Sequence, residues 1–243
     1  MRRALTILAM AALAGCGGPQ RLEGPGPYAS RPMETPTPTV LPTASGLIDA
    51  AIGSGTMRNA ARAGDDYGQC QAELAAARVT FTPQPDRVNS ETCGLTNAGL
   101  LGPDMGTVAR MAPSNPVATC RLALALSVWR RQSVEPAARE ILGSDVVQID
   151  HFGTYACRSV SNRPGARPSA HSRAAAFDFG GVRLRDGRRI TVAADWSGDG
   201  PEAHFLRRIR DDGCRIFGLV LSPDYDANHQ DHLHLDPGQN FCR

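Results

Sequence analysis

The sequence predicts an α+β fold: a mainly antiparallel sheet with helices packed on one side, stapled by disulfides. Three observations predict it. Short strand-like runs and helical stretches are mixed along the 243 residues, with no internal repeat. Asp186-Gly187 separates two such runs as a tight hairpin turn, the usual link between antiparallel strands. Cys70, Cys93, Cys120, Cys157, Cys214 and Cys242 form an even set downstream of an export-type leader, which argues for up to three disulfides. Their wide spacing, without a CxxC pair, argues against a cysteine zinc site, and their pairing stays open.

The elements follow in order. "GLIDAAIGSGTMRNAARAG" (46–64) reads as a weak helix at most, so the folded domain is expected over 65–243. "DDYGQCQAELAAARVTFTP" reads as a capped helix followed by a short strand, and "CGLTNAGLLG" as a strand with a turn. The strongest helical stretch is "SNPVATCRLALALSVWRRQSVEPAAREILG", with Asn115 as cap and Pro116 in the first turn. Val117, Cys120, Leu124 and Val128 recur at helical spacing, Leu122, Leu126 and Trp129 widen the stripe, and Pro136 is expected to break it. "DVVQIDHF" is a strand, "AAFDFGGVRLRDGRRITVAADW" the hairpin, and "PEAHFLRRIRDDGC" a helix ending near Gly213. "RIFGLVLSP" and the alternating "DHLHLD" close the chain as strands. A chain of this length can bury one good core or two small ones.

The beginning reads as targeting rather than structure. Arg2 and Arg3 precede an apolar run, Ala4 to Ala14, too short for a stable membrane span. Leu13-Ala14-Gly15-Cys16 matches a bacterial lipoprotein signal: residues 1–15 form the signal peptide, and Cys16 is the lipidated residue. The competing reading is a plain secretory signal with a chance cysteine. Lipid on Cys16 would hold the chain to a membrane by acyl burial. Gly17 in place of aspartate favours the outer membrane, and hence its periplasmic face. Residues 16–64 are read as a Pro-rich tether; seven of the 18 prolines fall within 17–45, which in polyproline geometry would reach up to about 90 Å. All 26 basic residues are arginine, and losing Arg2 and Arg3 with the leader takes the formal charge from +2 to zero. That balance gives no electrostatic case for nucleic acid.

The candidate chemistry lies in two stretches. "PSAHSRAAAFDFGG" contains His171 and Asp178, and "DANHQDHLHLDP" contains His229, His232 and His234, three of the six histidines. On a strand, His232 and His234 would share a face. A catalytic zinc site takes three protein ligands and leaves one position open. His171, Asp178 and one histidine of the His-Leu-His pair would complete such a set, although each motif alone fits an ordinary surface hydrogen bond. Nitrogen and carboxylate donors suit Zn2+, with other divalent ions also compatible.

"SAHSRAAAFD" resembles the SxHxxGxAxD motif of D-alanyl-D-alanine metallopeptidases and related murein endopeptidases, and "HLH" resembles their HxH motif. More closely, "CGLTNAG", "TYACRS", "DGRRITVAADW" and "DANHQDHLHLD" resemble the bacterial extensin-like C-terminal family, from about residue 67 to the end. The resemblance implies zinc held by His171, Asp178 and His234, with His232 assisting a water. It also implies that Arg158 steers a substrate carboxylate or carbonyl; otherwise Arg158 is a surface arginine beside a disulfide. Asp231 competes with His232 as the base, and regular strand geometry points it away. His229 either bonds the transition state or sits in its loop. Asp236 either orients a ligand histidine or caps the strand. Trp196 is read as core rather than as a substrate platform. Ala174 stands where the motif has glycine, a residue that permits unusual dihedrals.

The expected function is a membrane-tethered zinc metallopeptidase acting on peptidoglycan peptides. The alternatives are a non-catalytic module that binds wall peptides or a partner, and a metal-free structural lipoprotein.

Overall fold

The computed structural model describes residues 46–238 and 240–243. The signal peptide, Cys16 and the tether up to residue 45 lie outside the described residues. Helices α1 (Thr56–Asp65) and α2 (Tyr67–Ala76) lead into strands β1 (Val79–Pro83), β2 (Arg87–Ser90), β3 (Cys93–Leu95), β4 (Ala98–Asp104), β5 (Arg110–Ala112) and β6 (Val117–Thr119). Helix α3 (Cys120–Trp129) follows, then the three-residue α4 (Glu135–Ala137), then β7 (Val146–Gly153), β8 (Phe177–Leu184) and β9 (Arg189–Thr191). The chain ends with α5 (Val192–Asp195), α6 (Pro201–Gly213), β10 (Leu219–Leu221), β11 (Leu233–Asp236) and β12 (Phe241–Cys242).

The main sheet runs β12-β10-β11-β8-β7-β5, with β9 also paired to β8. Only β5 on β7 and β12 on β10 run parallel. A three-stranded sheet β1-β4-β6 and the ribbon β2-β3 are separate and antiparallel. The expected α+β class and its three disulfides are present: Cys70–Cys120, Cys93–Cys157 and Cys214–Cys242.

Side-chain alternation on the central strands explains how the helices and the open face divide. On β8, Phe177 and Phe179 are fully buried, and the Phe179 ring meets Trp129 of α3 edge-on at 5.2 Å. On β11, Leu233 and Leu235 are likewise buried. The intervening Asp178, His234 and Asp236 must project from the opposite face. Helix α3 is apolar on nearly every side and buried from Leu122 to Trp129, as a central helix should be. Trp129 also donates its indole N–H to the Ile209 carbonyl of α6 at 2.8 Å, so its one polar atom is satisfied in the core.

Three expectations need correction. The folded body starts before residue 65. Ile48 is fully buried, its carbonyl accepts from Gln132 at 2.9 Å, and Asp49 pairs with Arg131 at 2.7 Å. The apolar residues of 46–64 are mostly alanines, and these small side chains are enough to pack α1 against α3. The long helix does not start at Asn115. Residues 117–119 pair with β4, and Thr119 caps α3 by accepting from the Leu122 amide at 3.2 Å. Pro136 does not break the helix. Two π-wound segments, Arg130–Val134 and Ala138–Leu142, flank α4 and carry the helical path to Gly143, which ends it at φ +69°. The wider winding accommodates the proline's ring and missing N–H.

Candidate functional site

The site is assembled by register. His234 on β11 and Asp178 on β8 are directly paired across adjacent antiparallel strands. Their side chains therefore rise together from the face away from the helices, and His234 Nδ1 lies 2.9 Å from Asp178 Oδ1. His171 comes from a single 3₁₀ turn, Ala170–Arg173, just before β8. Ser169 caps that turn by accepting from the His171 amide at 3.4 Å, and Ala174 ends it in the left-handed region at φ +54°, ψ +34°. The Ala174 carbonyl accepts from the Thr119 amide at 2.9 Å, which locks the turn to β6. Alanine thus takes the left-handed conformation that glycine would favour.

His171 Nε2 lies 3.1 Å from Asp178 Oδ1 and 3.3 Å from His234 Nδ1. All three residues are buried, and they are the one group of three or more metal-type side chains among the described residues. The three edges, 2.9, 3.1 and 3.3 Å, approach the edge of about 3.3 Å expected for ligands about 2.0–2.1 Å from a tetrahedral ion. Proton bookkeeping points the same way. His171 Nδ1 lies 3.2 Å from the Thr154 carbonyl, which can only accept, so Nδ1 carries the proton. In neutral imidazole, Nε2 then presents a lone pair toward a carboxylate oxygen. Two acceptors that close need a shared cation, either a metal ion or the proton of an imidazolium Nε2–H. The Thr154 contact is the outer hydrogen bond that fixes the tautomer of a ligating histidine.

Burial opposes ionisation of Asp178, but hydrogen bonds and charge from His171 and His234 outweigh it and hold this carboxyl far below the usual carboxylate range. Asp236 moves the other way: burial raises it, against the pull of His234, His171, Arg121 and Arg167. Among the described residues no hydrogen bond joins Asp236 to His234 or His171, so of its two readings the orienting one has no direct contact.

The remaining expected residues surround the cluster. His232 immediately precedes β11, and its Nε2 is 3.6 Å from Asp178 Oδ1. Its Nδ1 is 2.8 Å from Asp231 Oδ1, and the Asp231 side chain is largely exposed. Asp231 therefore sits behind His232 rather than over the cluster. Arg158 Nη2 approaches Asp178 Oδ2 at 4.0 Å. His229 is held by Asp226 at 2.6 Å, its ring 5.1 Å from that of His232; burial lowers its pKa despite Asp226. Trp196 is 6% exposed and bonded to Asp224, a core residue as read from the sequence.

A cleft of about 500 Å³ opens beside the cluster. Sequence reading missed three of its features: Arg163, Arg167 and the apolar wall of Leu221, Tyr225 and Phe241. The arginine-rich run "RSVSNRPGAR" was the available signal.

The fold and site define a disulfide-stapled α+β domain with a buried His-Asp-His cluster opening into an arginine-lined cleft. The chain belongs to the family described as Extensin-like protein C-terminus, whose model matches residues 68–243. No curated protein and no solved structure gave a significant match.

Proposed function

We propose that the protein is a zinc metallopeptidase of the cell envelope, hydrolysing peptide bonds in the peptide part of peptidoglycan. In this reading a lipid on Cys16 anchors it to the periplasmic face of the outer membrane. The observation that carries the proposal is the convergence of His171, Asp178 and His234 at tetrahedral spacing, with His171 Nδ1 committed to Thr154. The resemblance of "SAHSRAAAFD" and "HLH" to the motifs of murein peptidases supports the reaction class.

A bound Zn2+ would supply Lewis acidity to a water and to the scissile carbonyl. The chain supplies the rest. Asp231 accepts the Nδ1 proton of His232, leaving His232 Nε2 as the lone-pair nitrogen on the cluster side, where it takes a proton from the attacking water. The same nitrogen can return that proton to the leaving amine. Arg158 stands over Asp178 and binds the substrate carbonyl or a carboxylate. His229, whose pKa burial lowers, lines the cleft and offers a further hydrogen bond there.

The test is digestion of purified muropeptides by zinc-supplemented protein, read by mass spectrometry. The reading expects cleavage by the parent and none by His234→Ala. A parent that cleaves no muropeptide overturns it.

A further inference from the structure

The cluster is only the middle of the sheet's open face. In the order β10-β11-β8-β7, Leu221 is paired with His234, His234 with Asp178, and Asp178 with Gly153. Gly180, two residues beyond Asp178, sits at a β-bulge between the buried Phe179 and Val182, where Asp150 pairs with Gly181 and His151 with Phe179, and it shares the open face. A Cβ placed on Gly180 would come 3.1 Å from the ring of Phe152. The Phe152 ring therefore lies on the cluster's face, against the bare backbone of Gly180. Its centroid is 6.0 Å from that of His232, edge to face. The residue is 63% exposed, among the most exposed large apolar side chains described. Glycine inside a strand marks a close approach, and here the approaching group is this ring.

The other flank differs. There the cleft is lined by Arg158, Arg163 and Arg167 together with Leu221, Tyr225 and Phe241. The three arginines belong to one loop, closed by the Ser159–Pro168 bridge and by the Val160 amide donating to the Arg167 carbonyl at 3.0 Å. Arg158 is the member of the three that pairs with a carboxylate among the described residues, and its partner is Asp178 itself. Guanidinium groups clustered in this way suit a peptide bearing two or more carboxylates, with Arg167 also acting on the Asp236 carboxyl.

We infer that Phe152 forms an apolar subsite across the cation cluster from the arginine-lined cleft, so that bound peptide crosses the strands and extends on both sides of the reacting bond. This rests on the peptidase reading and deepens it. A substrate losing only a terminal residue would leave one flank nearly empty. A cross-linked peptide fills both: carboxylates among the arginines, an aliphatic segment on the phenyl ring. The enzyme is then an endopeptidase of cross-links rather than a trimmer of chain ends, and Phe152 is a positioning residue.

The experiment is calorimetry on zinc-supplemented His232→Ala protein, in which turnover is slowed. The probes are a peptide-cross-linked muropeptide dimer and the uncross-linked monomer. The dimer should bind more tightly. Adding Phe152→Ala should weaken the dimer by about tenfold, the size of one well-covered aromatic contact, and leave the monomer within about twofold. Phe152→Tyr should restore dimer binding, with zinc content and melting temperature unchanged throughout. Equal affinity for dimer and monomer, an unaltered dimer affinity in Phe152→Ala, or no binding of either overturns the inference. Dimer-selective binding without hydrolysis by the parent would remove the peptidase reading and leave this ligand path standing.

Discussion

Replacing both Cys93 and Cys157 with serine removes a cross-link that spans 64 positions. Loop-closure entropy for that separation is worth about 4 kcal/mol, and measured disulfides of this kind give about 2–4 kcal/mol. In a chain of this size each kcal/mol moves the melting temperature by about 2–4 °C. The double variant should therefore melt about 5–15 °C lower by differential scanning calorimetry. The cross-link also has a local task. It pins the segment that runs straight into Arg158, and Tyr155 packs its hydroxyl 3.2 Å from Cys93 Sγ. His234 and Asp178 are held by the β8–β11 register, whereas His171 is tied to this segment: its carbonyl accepts from the Ala156 amide at 3.0 Å and its Nδ1 lies 3.2 Å from the Thr154 carbonyl. The variant should lose affinity for carboxylate-bearing peptide and weaken its metal binding through His171. A melting shift under about 2 °C, or peptide affinity left unaltered, would refute this reasoning.

Other consequences can be checked singly. Ala174→Gly relieves a left-handed alanine, worth about 1 kcal/mol, but gives up a buried methyl and frees the unfolded chain by similar amounts. Urea unfolding should thus change by less than about 1 kcal/mol, and a change above about 2 kcal/mol in either direction contradicts the argument. Asp231→Asn should lower kcat by about 10–100-fold with metal content intact, because it loosens the orientation of His232; an unaltered kcat rejects that role. The Asp178 carboxyl is held down by His171 and His234 against the cost of burial, so its folded value lies below its unfolded one. Its contribution to stability is complete above the unfolded value and is lost as pH falls toward the folded one. Metal-free parent should accordingly lose stability relative to Asp178→Asn between about pH 5 and 3, and parallel pH curves would contradict the sign.

Much of the fold was legible in local pattern. The Asp186-Gly187 hairpin, the helix ending at Gly213 and the alternating run around His234 all declare themselves through turn chemistry or periodicity. The errors arose where tertiary packing overrode local signals. Asn115-Pro116 looks like a helix start, yet β4 takes residues 117–119 into a sheet. Residues 46–64 carry mostly alanine as their apolar content, yet Ile48 and α1 are held by α3 and the winding after it. The three cluster residues were nameable because two short motifs carry them. Their meeting at 2.9–3.3 Å depends on strand register, which no local window contains. Phe152 was invisible for the same reason: only β7 beside β8 brings it over Gly180, although two consecutive glycines in "FDFGGV" were a hint.

The most direct measurement is the metal content of the purified, unchelated domain by elemental analysis, beside a folded His171→Ala variant. The account predicts about one zinc per parent chain and essentially none in the variant. A parent free of divalent metal, or a variant that retains it, would contradict the account.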